Sequence, residues 1–191
     1  MTAAYIFNLD DTVVDKSIYK SIYNDIINAL LDNLKIDKIK LQELITQVKF
    51  ETGNQKVDSY ELCKALNATE VYFKVIKRKI KHTYSIKTKA IPTIFRKIYA
   101  QDKKIGIISE AKEHVVKLFL KHFHLFEYIT FIHSGDPSSV LFWVTLEKKF
   151  DLSKETTMVV DNDDSVLEVA KHAGYKVLNV KDIDDIEGFN Y

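Results

Sequence analysis

Short apolar segments alternate with helix-length segments through residues 89–180, and this alternation restricts the possible folds more than any other feature. The apolar segments read KKIGIIS (103–109), YITFIH (128–133), TTMVVD (156–161) and YKVLNV (175–180). Strands that alternate with helices of this length form parallel sheets with right-handed crossover connections. We therefore predict an α/β protein with a Rossmann-like, doubly wound parallel sheet, and YIF (5–7) supplies its first strand.

The segment between the first strand and residue 89 has helical periodicity and no strand pattern. Four helices are predicted, at residues 16–35, 38–51, 59–65 and 69–84. Apolar residues recur at three- and four-residue steps in the first two, which is typical of amphipathic helices. Asp58 or Ser59 can cap the third helix, and Thr69 can cap the fourth. The sequence thus predicts a core of residues 1–14 and 89–191 with an inserted all-helical unit at 15–88.

Composition narrows the possible partners. The chain carries 28 Lys and Arg against 27 Asp and Glu, so no charge excess favours binding to nucleic acid or to a membrane surface. The single cysteine, Cys63, excludes an intramolecular disulfide, and we expect it to be a small apolar filler on a helix. No segment reaches the roughly 18 apolar residues that a membrane span requires. Acidic residues follow the first strand at once, unlike a secretory leader, so we expect a cytoplasmic protein.

Polar side chains end three of the predicted strands. Asn8 and Asp10 follow the first strand, Ser109 ends the second, and Asp161 ends the fourth. In a doubly wound sheet, reactive groups gather at the carboxyl ends of the strands. The sequence therefore predicts that these four side chains belong to one site.

Four segments, in order, resemble the motifs of the haloacid dehalogenase-like (HAD) superfamily. IFNLDDTVVD resembles the first motif, and AIPTIFRKIYAQDKKIGIISEAKE resembles the segment that ends in the second. DPSSVLF is similar to the third-motif segment, and MVVDNDDSVLEVAKHAG resembles the fourth. The inserted helices lie where the family's helical cap lies. The resemblance covers nearly the whole chain and implies a phosphatase-type HAD fold with such a cap.

The resemblance also implies roles for individual residues. In the family the first Asp of the first motif attacks phosphorus and the second acts as acid and base. Asn8 stands at the nucleophile position here, and Asp10 stands at the acid–base position. Thr12 and Ser109 correspond to phosphate-binding residues. Mg²⁺ would be held by Asn8, by the main-chain carbonyl of Asp10 and by Asp161, more weakly than in a site with its full set of carboxylates.

The chain departs from the family pattern where charge matters most. The amide of Asn8 is uncharged and is a very poor nucleophile. Asp136 stands where the family has a lysine that neutralises phosphate, so a cation is replaced by an anion. Lys112 and Lys148 are the alternative sources of that positive charge. Asn162 replaces the second member of the usual acid pair.

Three further acidic residues allow more than one interpretation. Asp11 replaces a glycine that gives the family's loop its backbone freedom. Asp163 and Asp164 could partly offset the charge missing at Asn162. N-capping of the helix at 164–173 is the favoured interpretation for this pair.

These observations lead to two functional predictions. The first is a HAD-like phosphatase-fold protein that is catalytically impaired or a pseudo-enzyme, with a small phosphorylated molecule or a protein as its partner. The alternative is a Mg²⁺-dependent small-molecule phosphohydrolase that carries a substituted nucleophile at Asn8. A dehalogenase would be disabled by the same substitution. A response-regulator-like receiver domain is disfavoured by the long helical insert.

Overall fold

The computed structural model describes residues 2–52, 57–81, 86 and 90–180, and within them the chain forms a parallel α/β sheet with helices. The strands are β1 (Ala4–Asn8), β2 (Lys104–Ser109), β3 (Phe131–Ser134), β4 (Thr157–Asp161) and β5 (Lys176–Asn179). They pair in the order β3-β2-β1-β4-β5, and every pair is parallel. The predicted fold class is therefore confirmed.

Eight α-helices lie in the described part of the chain. They are α1 (Ser17–Leu34), α2 (Lys38–Thr52), α3 (Ser59–Ala65), α4 (Thr69–Lys81), α5 (Ile91–Tyr99), α6 (Glu113–His122), α7 (Val140–Phe150) and α8 (Asp164–His172). None of these helices combines the length and the apolar character that crossing a membrane requires.

The strand order places a topological switch point at β1. The chain runs outward from β1 through β2 to β3, and then returns to the other side of β1 as β4 and β5. Right-handed crossovers in opposite directions carry the connecting helices to opposite faces of the sheet. Ligands of such sheets bind outside the carboxyl ends of the strands at this point, where β1 ends at Asn8.

The central strand β1 is buried on both faces along residues 4–7, so these residues are all apolar rather than alternating with polar ones. On one face the ring of Phe7 packs against Phe95 of α5, with the ring centroids 4.9 Å apart. On the other face Ile6 belongs to a cluster that includes Trp143 of α7. Trp143 is fully buried, and its indole N–H donates to the carbonyl of Pro137 at 2.8 Å.

The chain divides into two compact units, one of Met1–Lys16 with Tyr84–Tyr191 and the other of Ser17–Thr83. In the second unit α1 packs against α3 and α4. Cys63 is buried there, as predicted for an apolar filler. The predicted boundary at 88/89 lies outside the described residues, and the role of the insert as a cap stays a prediction.

The start of one predicted strand differs from that observed. The apolar run at 128–133 predicts a strand from Tyr128, but β3 begins only at Phe131. The preceding residues Phe126–Tyr128 form a 3₁₀ turn, because the N–H of Tyr128 bonds to the carbonyl of Leu125 and the N–H of Ile129 to that of Phe126. The last predicted residues of the helix at 69–84, residues 82–84, lie outside the described part.

Candidate functional site

The carboxyl ends of β1 and β4 are joined by one hydrogen bond. Nδ2 of Asn8 donates to Oδ2 of Asp161 across 2.9 Å. Asn8 is the last residue of β1, and Asp161 is the last residue of β4 and is fully buried. Two residues that the sequence assigns to one site are therefore in direct contact.

The amide of Asn8 is held at both of its polar atoms. Its Oδ1 accepts a hydrogen bond from the main-chain N–H of Asp10 at 3.3 Å, while its nitrogen faces Asp161. A reversed amide would place its oxygen against a carboxylate and its NH₂ against an N–H donor. The hydrogen-bond partners thus fix the orientation of the side chain.

Asp161 is stabilised by neutral donors in a buried position. Its Oδ1 accepts from the main-chain N–H of Asp163 at 3.0 Å, and its Oδ2 accepts from Asn8. Burial raises the pKa of the Asp161 carboxyl to about 6, because the charged form is poorly solvated, although these hydrogen bonds partly oppose the rise. The carboxyl can therefore gain a proton under mildly acidic conditions.

Asp10 is tied to the end of β2 through Ser109. The hydroxyl of Ser109 donates to Oδ2 of Asp10 at 2.9 Å and accepts from the main-chain N–H of Ala111 at 3.0 Å. Ser109 is fully buried at the last position of β2. Asn8, Asp10, Ser109 and Asp161 thus lie at one edge of the sheet, although their roles there stay predictions.

The loop after β1 turns sharply back on itself. The N–H groups of Val13 and Val14 both donate to the carbonyl of Leu9. Asp11 adopts a left-handed backbone conformation with φ of 55°, which explains why glycine suits this position. Thr12 is fully buried, and its hydroxyl makes no hydrogen bond within the described residues.

Lys16 is a residue near the site that the sequence reasoning missed. Its ammonium lies 2.6 Å from Oδ2 of Asp11, and its N–H donates to Oδ1 of the same side chain at 3.0 Å. The carboxylates of Asp163 and Asp10 add to the rise that Asp11 causes in the pKa of Lys16. The sequence signal that could have identified Lys16 is its position a few residues after the acidic loop of residues 8–11.

Comparison with known proteins decides the family. The haloacid dehalogenase-like hydrolase family model matches residues 5–180 of the sequence. The chain belongs to the haloacid dehalogenase-like hydrolase family. No curated protein sequence matches it significantly.

Solved HAD structures share the fold at low sequence identity. The HAD-hydrolase YfnB from Bacillus subtilis, in a form bound to magnesium, has a TM-score of 0.57 and 14% identity, covering 92% of this chain and 85% of YfnB. L-2-haloacid dehalogenase from Xanthobacter autotrophicus has a TM-score of 0.58 and 13% identity, covering 94% and 78%. A predicted phosphoglycolate phosphatase from Haemophilus somnus has a TM-score of 0.63 and 15% identity, covering 93% and 84%.

The surroundings of this HAD site are mainly negative. Glu110 follows Ser109, and burial together with the charges of Asp136, Asp10 and Asp163 raises the pKa of its carboxyl. Asp136, which stands at the position of the family's lysine, is therefore close enough for its charge to disfavour ionisation of the Glu110 carboxyl. Asp136 itself accepts from the N–H of Ser138 at 2.9 Å and from its hydroxyl at 2.6 Å, which forms the turn into α7.

The two alternative lysines differ in position. Lys148 lies in the last turn of α7 and is exposed. Because α7 starts beyond the carboxyl end of β3 and runs back along the sheet, its last turn lies at the opposite edge from the site. Lys112 directly precedes α6, on the site side of the sheet, and is also exposed. Of the two, only Lys112 is placed to contribute charge near Ser109.

Asp163 caps α8, as predicted. Its Oδ1 accepts from the N–H of Ser165 at 2.9 Å and from the Ser165 hydroxyl at 2.6 Å. These hydrogen bonds lower the pKa of the Asp163 carboxyl. Its Oδ1 is therefore engaged in capping α8, and whether Asp163 also offsets the charge missing at Asn162 stays a prediction.

The predicted cation ligands include a single side-chain carboxylate, that of Asp161, which lies beside the amide of Asn8. Within residues 2–52, 57–81, 86 and 90–180, no three His, Cys, Asp or Glu side chains are grouped as metal ligands. Both carboxylate oxygens of Asp161 accept hydrogen bonds, and the donor on Oδ2 is the amide nitrogen of Asn8. A cation on Oδ2 would share that oxygen with the amide N–H of Asn8.

Proposed function

We propose that this chain is a HAD-fold protein that does not turn over phosphate esters and serves instead by binding. The hydrogen-bonded state of Asn8 carries this proposal. HAD phosphatases need a carboxylate at this position to attack phosphorus. The amide nitrogen here donates to Asp161 and the amide oxygen accepts from the N–H of Asp10, so neither atom is an available nucleophile.

The charge distribution supports the same proposal. Phosphoryl transfer requires positive charge to balance the transferring group. The charge of Asp136 adds to the rise in the pKa of the Glu110 carboxyl, so a phosphate dianion near the third-motif position would meet negative charge. Lys16 supplies a nearby cation, but Asp11 already pairs with it.

Mg²⁺ belongs to the HAD mechanism, and one structural neighbour is bound to it. In this chain we propose that Mg²⁺ binds weakly. Among the three predicted ligands, Asp161 is the only one that would coordinate through a side-chain carboxylate, and its oxygens already accept two N–H donors. With a single carboxylate at the site, less negative charge is available to hold the cation.

The alternative is a phosphohydrolase that differs from an active enzyme by its nucleophile. The contact of Ser109 with Asp10 favours it, because the second-motif hydroxyl and the acid–base carboxylate lie within hydrogen-bond distance. Restoring the carboxylate with Asn8→Asp would then restore turnover.

Phosphate release separates the two functions. The protein and its Asn8→Asp variant are each incubated with Mg²⁺ and a panel of small phosphate esters, and circular dichroism checks that both are folded. The double variant Asn8→Asp/Asp10→Asn is the matched control, because it keeps the restored nucleophile and lacks the acid–base group. Two folded but inactive proteins support the binding role. Turnover by Asn8→Asp alone establishes the alternative, and turnover by the protein itself above a heat-inactivated sample refutes the proposal.

A further inference from the structure

A histidine ring lies in an aromatic pocket between β3 and α7. His133 is 9% exposed, and its ring centroid lies 4.7 Å from that of Phe142 and 5.8 Å from that of Phe150. Its Nδ1 is buried and makes no hydrogen bond within the described residues. An apolar side chain would fill this position without a buried polar atom, so the imidazole calls for a further explanation.

The groups around His133 favour its neutral form. In β2 the paired residue is the buried Ile108, and α7 contributes the two phenylalanine rings and the ammonium of Lys149. Burial, and to a smaller extent the charge of Lys149, lower the pKa of the His133 ring. Protonation would place an N–H at Nδ1 without an acceptor among the described residues, which is costly in a buried position.

Two contacts connect the pocket of His133 to the loop between β3 and α7. The ring of Phe142 packs against Gly135, where an added Cβ atom would lie 3.1 Å from the ring. The neighbouring Trp143 donates its indole N–H to the carbonyl of Pro137 at 2.8 Å. A movement of the first turn of α7 away from His133 therefore moves the loop with it.

We propose that His133 is a pH-sensitive switch whose protonation releases the start of α7 and the loop before it from β3. The protonated ring then leaves its aromatic pocket for water, where both ring nitrogens can donate hydrogen bonds. The loop carries Asp136, so its release in acid changes the negative charge that acts on Glu110. This switch is independent of the binding role proposed above, because it concerns the packing of the loop and not a ligand.

The direction of the switch follows from proton linkage. In the released state the ring is exposed and its pKa returns to the ordinary 6.5, whereas in the packed state the pKa is lower. The packed state is therefore favoured most above about pH 6.5 and loses stability as the pH falls below that value. Because one proton is involved, the equilibrium constant for release rises by at most about tenfold per pH unit.

Hydrogen–deuterium exchange of the full chain tests the switch. Between about pH 7 and pH 5 the amides of residues 135–146 should lose about tenfold in protection, after correction for the intrinsic pH dependence of exchange. Helix α5 packs on the other face of the sheet and is the internal control, which should lose much less protection. An equal loss in both regions, or no loss in residues 135–146, refutes the proposal.

A pair of variants assigns the effect to His133. His133→Phe keeps an aromatic ring and removes the titrating group, so residues 135–146 should keep their protection in acid. His172→Phe is the matched control, because His172 is exposed at the end of α8, and it should lose protection as the parent does. Asp161 titrates in the same range in all three proteins, so the difference between them reports His133. Loss of protection in His133→Phe equal to that of the parent contradicts the switch.

NMR titration of the parent decides the question even if His133→Phe does not fold. The imidazole resonances of His133, followed against pH, should give an apparent pKa below the ordinary 6.5. Backbone resonances of residues 135–146 should shift with the same midpoint. An apparent pKa of 6.5 or more, or backbone shifts that do not follow His133, overturns the proposal.

Discussion

The side-chain amide of Asn8 donates to the buried carboxylate of Asp161 at 2.9 Å and so connects the ends of β1 and β4. In the HAD pattern the position of Asn8 holds an aspartate, and a metal cation balances the acids gathered there. The amide supplies a neutral donor to Asp161 directly. We infer that the folded site of this chain requires no cation for its own stability.

The variant Asn8→Asp should make folding depend on a cation. It replaces a donor with a second carboxylate beside Asp161, so we expect the free energy of unfolding to fall by about 1–3 kcal/mol near neutral pH without divalent ions. Excess Mg²⁺ should recover much of the loss by binding the folded state. Urea denaturation with and without Mg²⁺ measures both effects. A variant as stable as the parent in chelator would contradict this interpretation.

Asp161 should make stability depend on pH. Its pKa is about 6 in the folded chain against an ordinary value of 3.8, so the folded state binds the proton more tightly than the unfolded state. The contribution of this group to stability is therefore full below about pH 4 and is lost as pH rises through 6. The variant Asp161→Asn does not titrate at this position. Between about pH 4 and pH 6 its free energy of unfolding should therefore rise by about 3 kcal/mol relative to that of the parent.

Asp163→Asn is the control for the pH experiment. The pKa of Asp163 is lowered in the folded chain by the hydrogen bonds from Ser165. Its contribution is therefore lost as pH falls, which is the opposite direction. Equal pH profiles for the Asp161→Asn variant and the parent would show that Asp161 titrates normally.

Removing the hydroxyl of Ser109 should destabilise the chain. Ser109→Ala leaves an oxygen of Asp10 and the N–H of Ala111 without the hydroxyl that both contact in a buried position. We expect a loss of about 1–3 kcal/mol in the free energy of unfolding. Ser139→Ala is the matched control, because the Ser139 side chain makes no capping bond to α7, and it should change stability little. Equal losses in both variants would contradict the role of Ser109.

The backbone at Asp11 allows a paired substitution. Asp11→Gly and Asp11→Ala both lose the contacts with Lys16, but only glycine adopts a φ of 55° without steric cost. The glycine variant should therefore be more stable than the alanine variant by about 1–2 kcal/mol. Thermal or urea denaturation of the two variants measures the free-energy cost of the left-handed backbone conformation at residue 11. An alanine variant of equal stability would indicate that the loop relaxes out of the left-handed conformation.

Local features of the fold could be predicted because they depend on neighbouring residues. The cap at Asp163 and the burial of Cys63 follow from short sequence patterns. The start of β3 was mispredicted, since the apolar pair at Tyr128 and Ile129 has the composition of a strand. The N–H groups of these two residues instead donate to the carbonyls of Leu125 and Phe126 in a 3₁₀ turn.

The contacts within the site depend on strand order and could not be deduced from local patterns. Asn8 and Asp161 are 153 residues apart, and they meet only because β4 returns beside β1. The resemblance to HAD proteins placed both residues in one site. It did not predict which atom of the Asn8 amide would face the carboxylate, because that is decided by the N–H of Asp10.

The two units of this chain can be followed by different optical signals because Trp143 lies in only one of them. It is the single tryptophan of the sequence, and it is buried in the α/β unit with its indole hydrogen-bonded to Pro137. Tryptophan fluorescence therefore follows the unfolding of that unit, whereas far-ultraviolet circular dichroism also follows the four helices of the insert. Coincident denaturation curves from the two signals would identify a single cooperative transition. Separate curves would assign each loss of stability to the unit in which it occurs.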